Sequence, residues 1–237
     1  MAHDRVAVVA GVGPGIGIRF VEIFAQEGYR VVALARNADA LAGFRSGLGT
    51  VAERCLFWPT DITDHTQVKQ TFARVRSELG PVNLLVANGG AGSKRGSFLD
   101  ITAEDFTNNF RGCALGPFLC AKEAIPDMLA NGGGTIAYIG ATSSVKGYAK
   151  SSAFAPGKFA LRGLAQCNAR EFGAKGIHVF HVIIDGGIDD ILLGEEREVK
   201  AGMLDSRAIA RVVAQAVAQP KDTWMQEFDI RPSVEQW

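Results

Sequence analysis

Two hydrophobic periodicities alternate along this chain from one end to the other, and that alternation restricts the fold more than any other feature. Short runs rich in β-branched residues read as strands buried on both faces: Val6–Ala10, Tyr29–Leu34, Cys55–Trp58, Val82–Ala87, Thr135–Ile139, His178–Ile184 and Trp224–Ile230. Between them lie stretches with apolar residues at helical spacing. The first sets Ile16, Phe20, Ile23 and Phe24 on one stripe and closes at Glu27-Gly28. Others cover Ala38–Ser46, His65–Leu79, Ala103–Ala130, Ser152–Phe172 and Ser206–Ala218, with Pro117 predicting a kink in the long 103–130 helix. Strands alternating with helices build a parallel sheet covered on both faces and joined by right-handed crossovers. At 237 residues, with no linker, repeat or low-complexity stretch, the chain reads as one α/β domain over 1–237.

Charge narrows the partners. The 25 basic and 25 acidic side chains cancel, so no basic field exists for nucleic acid or an anionic membrane surface, and neither is expected as a partner. No apolar run reaches the roughly 18 residues of a membrane span. Met1–Arg5 leads directly into a strand without a signal-peptide layout, and the expected location is cytoplasmic. Cys55, Cys113, Cys120 and Cys167 lack paired C-x-x-C spacing, and the four histidines are scattered, so no metal site is expected.

Gly11-Val12-Gly13-Pro14-Gly15-Ile16-Gly17 follows the first strand and opens the first helix. Glycine at such a turn lets the backbone approach a pyrophosphate, whose charge the helix N-terminus stabilises. The spacing is G-x-x-x-G-x-G, with Ile16 where a strict G-x-G-x-x-G would have its third glycine. The second strand ends Leu34-Ala35-Arg36-Asn37, with no carboxylate until Asp39. An arginine there pairs with a 2′-phosphate, which favours NADP(H) as cofactor, with NAD possible.

These residues, together with Asp61-Ile62, Ala87-Asn88-Gly89-Gly90, Asn109-x-x-Gly112 and a Lys158 four residues past an aromatic, fall in the order and spacing of the short-chain dehydrogenase/reductase family. The chain resembles that family over nearly its whole length. The resemblance implies a Rossmann-type doubly wound parallel sheet of seven strands, a nicotinamide cofactor and a homodimer or homotetramer built on the long helices. It also implies that Gly11, Gly13, Pro14, Gly15 and Ile16 receive the pyrophosphate, and that Asp61 and Ile62 flank the adenine. Asn88, Gly89 and Gly90 would line the ribose, Gly186 would lie near the nicotinamide, and Lys158 would hold its ribose.

At the reacting end the sequence departs from the family pattern. The family uses a tyrosine as proton donor, a serine to polarise the carbonyl, an asparagine to hold a relay water, and a lysine that lowers the phenol pKa. Asn109 and Lys158 match by position, whereas Phe154 stands at the tyrosine and Ala141 at the serine. Thr142 or Ser143, one and two residues further on, would supply a hydroxyl if the loop shifts. Tyr148 reads as a loop aromatic, His181 as a satisfied core histidine, and Ser151 and Ser152 as helix N-caps. Asp185 replaces a usual proline, Asp190 stands near a usual threonine, and Asp190–Met203 reads as a charged lid helix. The expected function is an oxidoreductase acting on a small carbonyl or alcohol through an altered acid/base site. The alternative is a non-catalytic dinucleotide-binding protein, either a cofactor sensor or an inactive partner subunit.

Overall fold

The computed structural model describes residues 5–90, 94–190, 193 and 197–235. Seven parallel strands form one sheet in the order β3-β2-β1-β4-β5-β6-β9. They are β1 (Val6–Ala10), β2 (Arg30–Ala35), β3 (Cys55–Pro59), β4 (Val82–Ala87), β5 (Gly134–Ile139), β6 (Ile177–Ile184) and β9 (Glu227–Ile230). The order runs outward from β1 in both directions. Helices α1 (Ile16–Gln26), α2 (Ala38–Ser46), α3 (His65–Glu78), α4 (Ala103–Phe110), α5 (Gly116–Ala130), α6 (Ala155–Phe172) and α7 (Ser206–Val217) cover its faces. The doubly wound α/β fold expected from the alternating periodicities is therefore present. Strands β1 and β6 are buried at every position, which is why β1 runs wholly apolar and β6 nearly so instead of alternating.

Each face closes its own core. Phe20, Phe24 and Phe180 pack on one side, and Phe72, Met128 and Tyr138 on the other. Tyr138 brings a hydroxyl into the second core, where Asn168 Nδ2 donates to it at 2.7 Å. That bond supplies the partner a buried phenol needs.

Four expectations are corrected. The long helix does not kink at Pro117. Its irregularity is a π-helical turn, Arg111–Leu115, separating α4 from α5. The wide turn brings the Gly112 carbonyl against Gly89, where a Cβ would overlap it, and leaves Pro117 in the first turn of α5, where no N–H is required. Ser151 and Ser152 do not cap α6. The helix starts at Ala155 with Phe154 at its N-cap, and neither hydroxyl finds a partner. The last strand starts at Glu227 because Trp224 turns away to stack on His178, 4.7 Å between ring centres.

The expected lid helix is not formed by the described residues of 190–203. Residues 191, 192 and 194–196, including Glu195 and Glu196, lie outside those described. The segment is bracketed by a two-residue parallel pair, β7 (Ile188–Asp189) with β8 (Leu204–Asp205). Buried Asp189 holds it from within, accepting from Arg197 at 2.6 and 2.8 Å and from the Lys200 N–H at 2.9 Å. Arg197, part of the charged run that made the stretch read as a solvated helix, is an anchor to that carboxylate.

Candidate functional site

The C-terminal ends of β1, β2, β4, β5 and β6 border one cleft of about 770 Å³. This is where the strand order reverses, the crevice that doubly wound sheets offer to ligands. At its centre the glycine turn leaves β1 and enters α1. Gly11 has φ +98°, and a Cβ there would overlap the Asn88 carbonyl, so the turn requires glycine. Asn88 reciprocates by donating from Nδ2 to the Gly11 carbonyl at 2.7 Å, tying the end of β4 to the turn. At Gly13 nothing stands within 4 Å of where a Cβ would be, and the backbone faces open space. The N-cap of α1, Gly15, provides no side-chain cap. Ile18 N–H donates to the Gly13 carbonyl at 3.2 Å, and the N–H groups of Ile16 and Gly17 ahead of it are left to a ligand or to water.

The structure brings together Gly11, Gly13, Pro14, Gly15, Ile16, Arg36, Asp61, Ile62, Asn88, Gly89, Gly90, Lys158 and Gly186 around this cleft. Arg36 is exposed at the end of β2. Asn37 beside it caps α2 by accepting from the Ala40 N–H at 3.0 Å. Asp61 folds one carboxylate oxygen back onto the Thr63 N–H and hydroxyl, at 2.9 and 2.8 Å.

Phe154, Ala141 and Lys158 line the other end. Lys158 is buried, donating from Nζ to the carbonyls of Ile139 at 2.9 Å and Gly89 at 3.2 Å. Burial lowers its pKa, a shift that nearby Cys113 partly opposes. Its ammonium lies 5.7 Å from the centre of the Phe154 ring. An ammonium has three N–H groups, so the two carbonyls leave one for a ligand.

The other residues expected at the reacting end do not line the cleft. Ser143 is buried in the 142–144 turn. Thr142 donates its hydroxyl to Asp185 Oδ1 at 2.5 Å. Asn109 is buried with its amide turned back to the Asp105 carbonyl at 2.9 Å. Among the described lining residues, the only hydroxyl side chains, Thr60 and Thr63, belong to the loop after β3, at the Asp61 end. Arg95 and Asp190 are among the lining residues that the sequence reading did not place in the cleft. Arg95 carries no positional signal in its loop. Asp190 packs its carboxylate on Gly15, and burial together with Asp189 raises its pKa.

A family model for the short chain dehydrogenase matches residues 5–199. The chain belongs to the short-chain dehydrogenase family. A short-chain dehydrogenase/reductase of Armillaria gallica is 37% identical over 184 residues, covering 76% of this chain and 69% of that one. A solved short-chain dehydrogenase from Rhodopseudomonas palustris superposes with a TM-score of 0.83 at 30% identity, covering 97% of this chain and 98% of its own. An alcohol dehydrogenase from Thermococcus sibiricus, solved with 5-hydroxy-NADP, shares the fold with a TM-score of 0.86 at 21% identity, covering 99% of both chains. Among the described residues of this short-chain dehydrogenase, no helix is long and apolar enough to cross a membrane, and no group of three or more His, Cys, Asp or Glu could hold a metal ion.

Proposed function

We propose that this protein is an NADP(H)-dependent oxidoreductase acting on a small carbonyl or alcohol, with an acid/base site altered at Phe154 and Ala141. The observation that carries this reading is the single cleft that runs from Arg36, past an uncapped helix N-terminus, to Lys158 and Phe154. The residues fit a dinucleotide. Gly13 leaves the turn open to a pyrophosphate, and the α1 N–H groups offer it hydrogen bonds. The Thermococcus relative of the same fold was solved with a nucleotide of the NADP type. The chemistry that a nicotinamide dinucleotide would supply here is hydride transfer. Lys158 would hold its ribose with the remaining N–H and would keep a positive charge where an alkoxide develops. With no phenol at 154 and no hydroxyl at 141, the proton would come from the Lys158 ammonium and be replaced from water.

Arg36 would meet the 2′-phosphate. Arg36→Asp is expected to weaken NADP⁺ binding at least tenfold while leaving NAD⁺ unchanged or tighter, read by calorimetry. Equal affinity of the parent protein for both dinucleotides, untouched by the substitution, would contradict the assignment. Asp190 acts in the opposite sense, because a carboxylate resting on the glycine turn repels a pyrophosphate. Unit charges about 4 Å apart in water interact by about 1 kcal/mol, so Asp190→Asn tightens NADP⁺ binding about fivefold at pH 7. Weaker binding in that variant would show that the carboxylate helps to hold the ligand.

One observation favours a second reading, a non-catalytic cofactor-binding protein: no described hydroxyl side chain lines the Lys158 end. A panel of small aldehydes and ketones offered with NADPH separates the two, since sustained turnover with any member excludes the second. We also propose a homodimer or homotetramer. Phe106, Phe110, Phe118 and Phe159, on α4, α5 and α6, are each more than 40% exposed, an apolar surface suited to a second copy. Light scattering that gives a monomer at micromolar concentration would overturn it.

A further inference from the structure

His181 is a buried polar group of the sheet that the proposed chemistry leaves unused. It is fully buried in β6, and its ring is hydrogen-bonded at both nitrogens. Nδ1 lies 3.1 Å from Glu227 Oε2, and Nε2 lies 3.2 Å from Ser144 Oγ. Arg162 grips Glu227 with two N–H groups, each at 2.7 Å. Ser144 Oγ in turn accepts the Ala141 N–H at 3.1 Å. Gly140 makes the approach possible, because a Cβ there would overlap both His181 Nε2 and Ser144 Oγ.

The proton positions follow from the chemistry of each member. Glu227, paired with Arg162, is a carboxylate and accepts, so Nδ1 carries the imidazole proton. Nε2 is then the acceptor, and the single Ser144 proton points to it, leaving an oxygen lone pair for the Ala141 N–H. The charged groups facing His181 are Glu227 from β9 and Arg162 and Lys158 from α6. Burial outweighs the Glu227 carboxylate and keeps the imidazole neutral, its pKa pushed down to about 4.

A serine, histidine and glutamate in this order resemble an acyl-transfer triad, but Ser144 is fully buried and does not line the cleft. The chain does not conduct protons into the cleft either, since it ends on a backbone amide that cannot relay one. Its end point, Ala141, does line the cleft, and Arg162 stands one helical turn beyond Lys158 on α6.

We propose that Ser144, His181 and Glu227 act as positioning residues: the neutral imidazole, oriented by Glu227, fixes Ser144 and through it the backbone of Ala141, part of the cleft wall two residues from the Ile139 carbonyl that holds Lys158. This rests on reading that end as the reacting end.

Nitrogen NMR of the imidazole tests the tautomer without cofactor or turnover, with a proton on Nδ1 and no titration above pH 5 expected. Hydrogen exchange at the Ala141 amide tests the coupling. Ser144→Ala and His181→Phe should each speed it at least tenfold, and the double variant no further than either alone. Glu227→Gln, which preserves shape, should reduce the population of the Nδ1–H tautomer. NADP⁺ affinity should stay within about twofold, whereas kcat on any substrate found should fall about tenfold with KM unchanged. An Nε2–H tautomer, a titration near 6.5, additive effects in the double variant, or a parallel loss of NADP⁺ affinity would overturn the proposal. Should no carbonyl turn over, the oxidoreductase reading fails while the tautomer and exchange results still decide this one.

Discussion

Phe154→Tyr is expected to raise NADPH-dependent reduction of a small aldehyde by about 10²-fold or more, the scale on which a general acid contributes. The ring at 154 already lines the cleft, and the Lys158 ammonium lies 5.7 Å from its centre. A phenol hydroxyl added there enters the field of that cation, which lowers the phenol pKa and favours proton exchange near neutral pH. Among the described residues both hydrogen-bond partners of Lys158 are carbonyls, so no carboxylate there competes for it. Adding Ala141→Ser supplies the second hydroxyl and should raise the rate further, mainly in kcat. Rates within twofold of the parent in both variants would show that the missing proton donor is not what limits the reaction.

Acid sensitivity is the second large effect. The His181 imidazole has a folded-state pKa of about 4, against about 6.5 for an unfolded histidine, with burial as the leading cause. As pH falls from 6.5 towards 4, the unfolded chain takes up a proton that the folded chain refuses, so stability falls through that window. The loss from this one group is about 3 kcal/mol. His178, whose pKa burial also lowers, adds in the same direction. The Glu227 carboxylate, favoured by Arg162, contributes stability that is lost as pH falls below the ordinary glutamate range. Urea midpoints between pH 4 and 7 should therefore drop steeply, and His181→Asn should flatten the profile above pH 4. A midpoint independent of pH over that window would contradict the buried neutral imidazole.

The sheet was legible because strands buried on both faces run mostly apolar: Val6–Ala10 has no polar side chain, and Ile177–Ile184 has only His178 and His181, each with hydrogen-bond partners. The cleft was legible because glycine at positive φ and an arginine closing β2 each have a local physical cause. The π turn at Arg111–Leu115 was not, since it answers to Gly89 across the sheet, and Pro117 drew attention to the wrong turn. The anchoring of 197–200 on Asp189 was missed for a similar reason: charge runs look alike whether solvated or paired. His181 reads correctly as a satisfied core histidine, yet its partners Ser144 and Glu227 are 37 and 46 residues away, beyond any spacing rule. Ser143 and Thr142 are close in sequence to the expected hydroxyl position, but the tight 142–144 turn buries one and directs the other to Asp185.

The measurement that bears most directly on the account is steady-state NADPH consumption by the unaltered protein across a broad panel of small aldehydes and ketones. The account predicts slow, sustained turnover with at least one of them, preference for NADPH over NADH, and loss of both in Lys158→Met. Traces no faster than buffer under saturating NADPH, together with clear activity in Phe154→Tyr, would contradict it and leave a cofactor-binding protein without chemistry of its own.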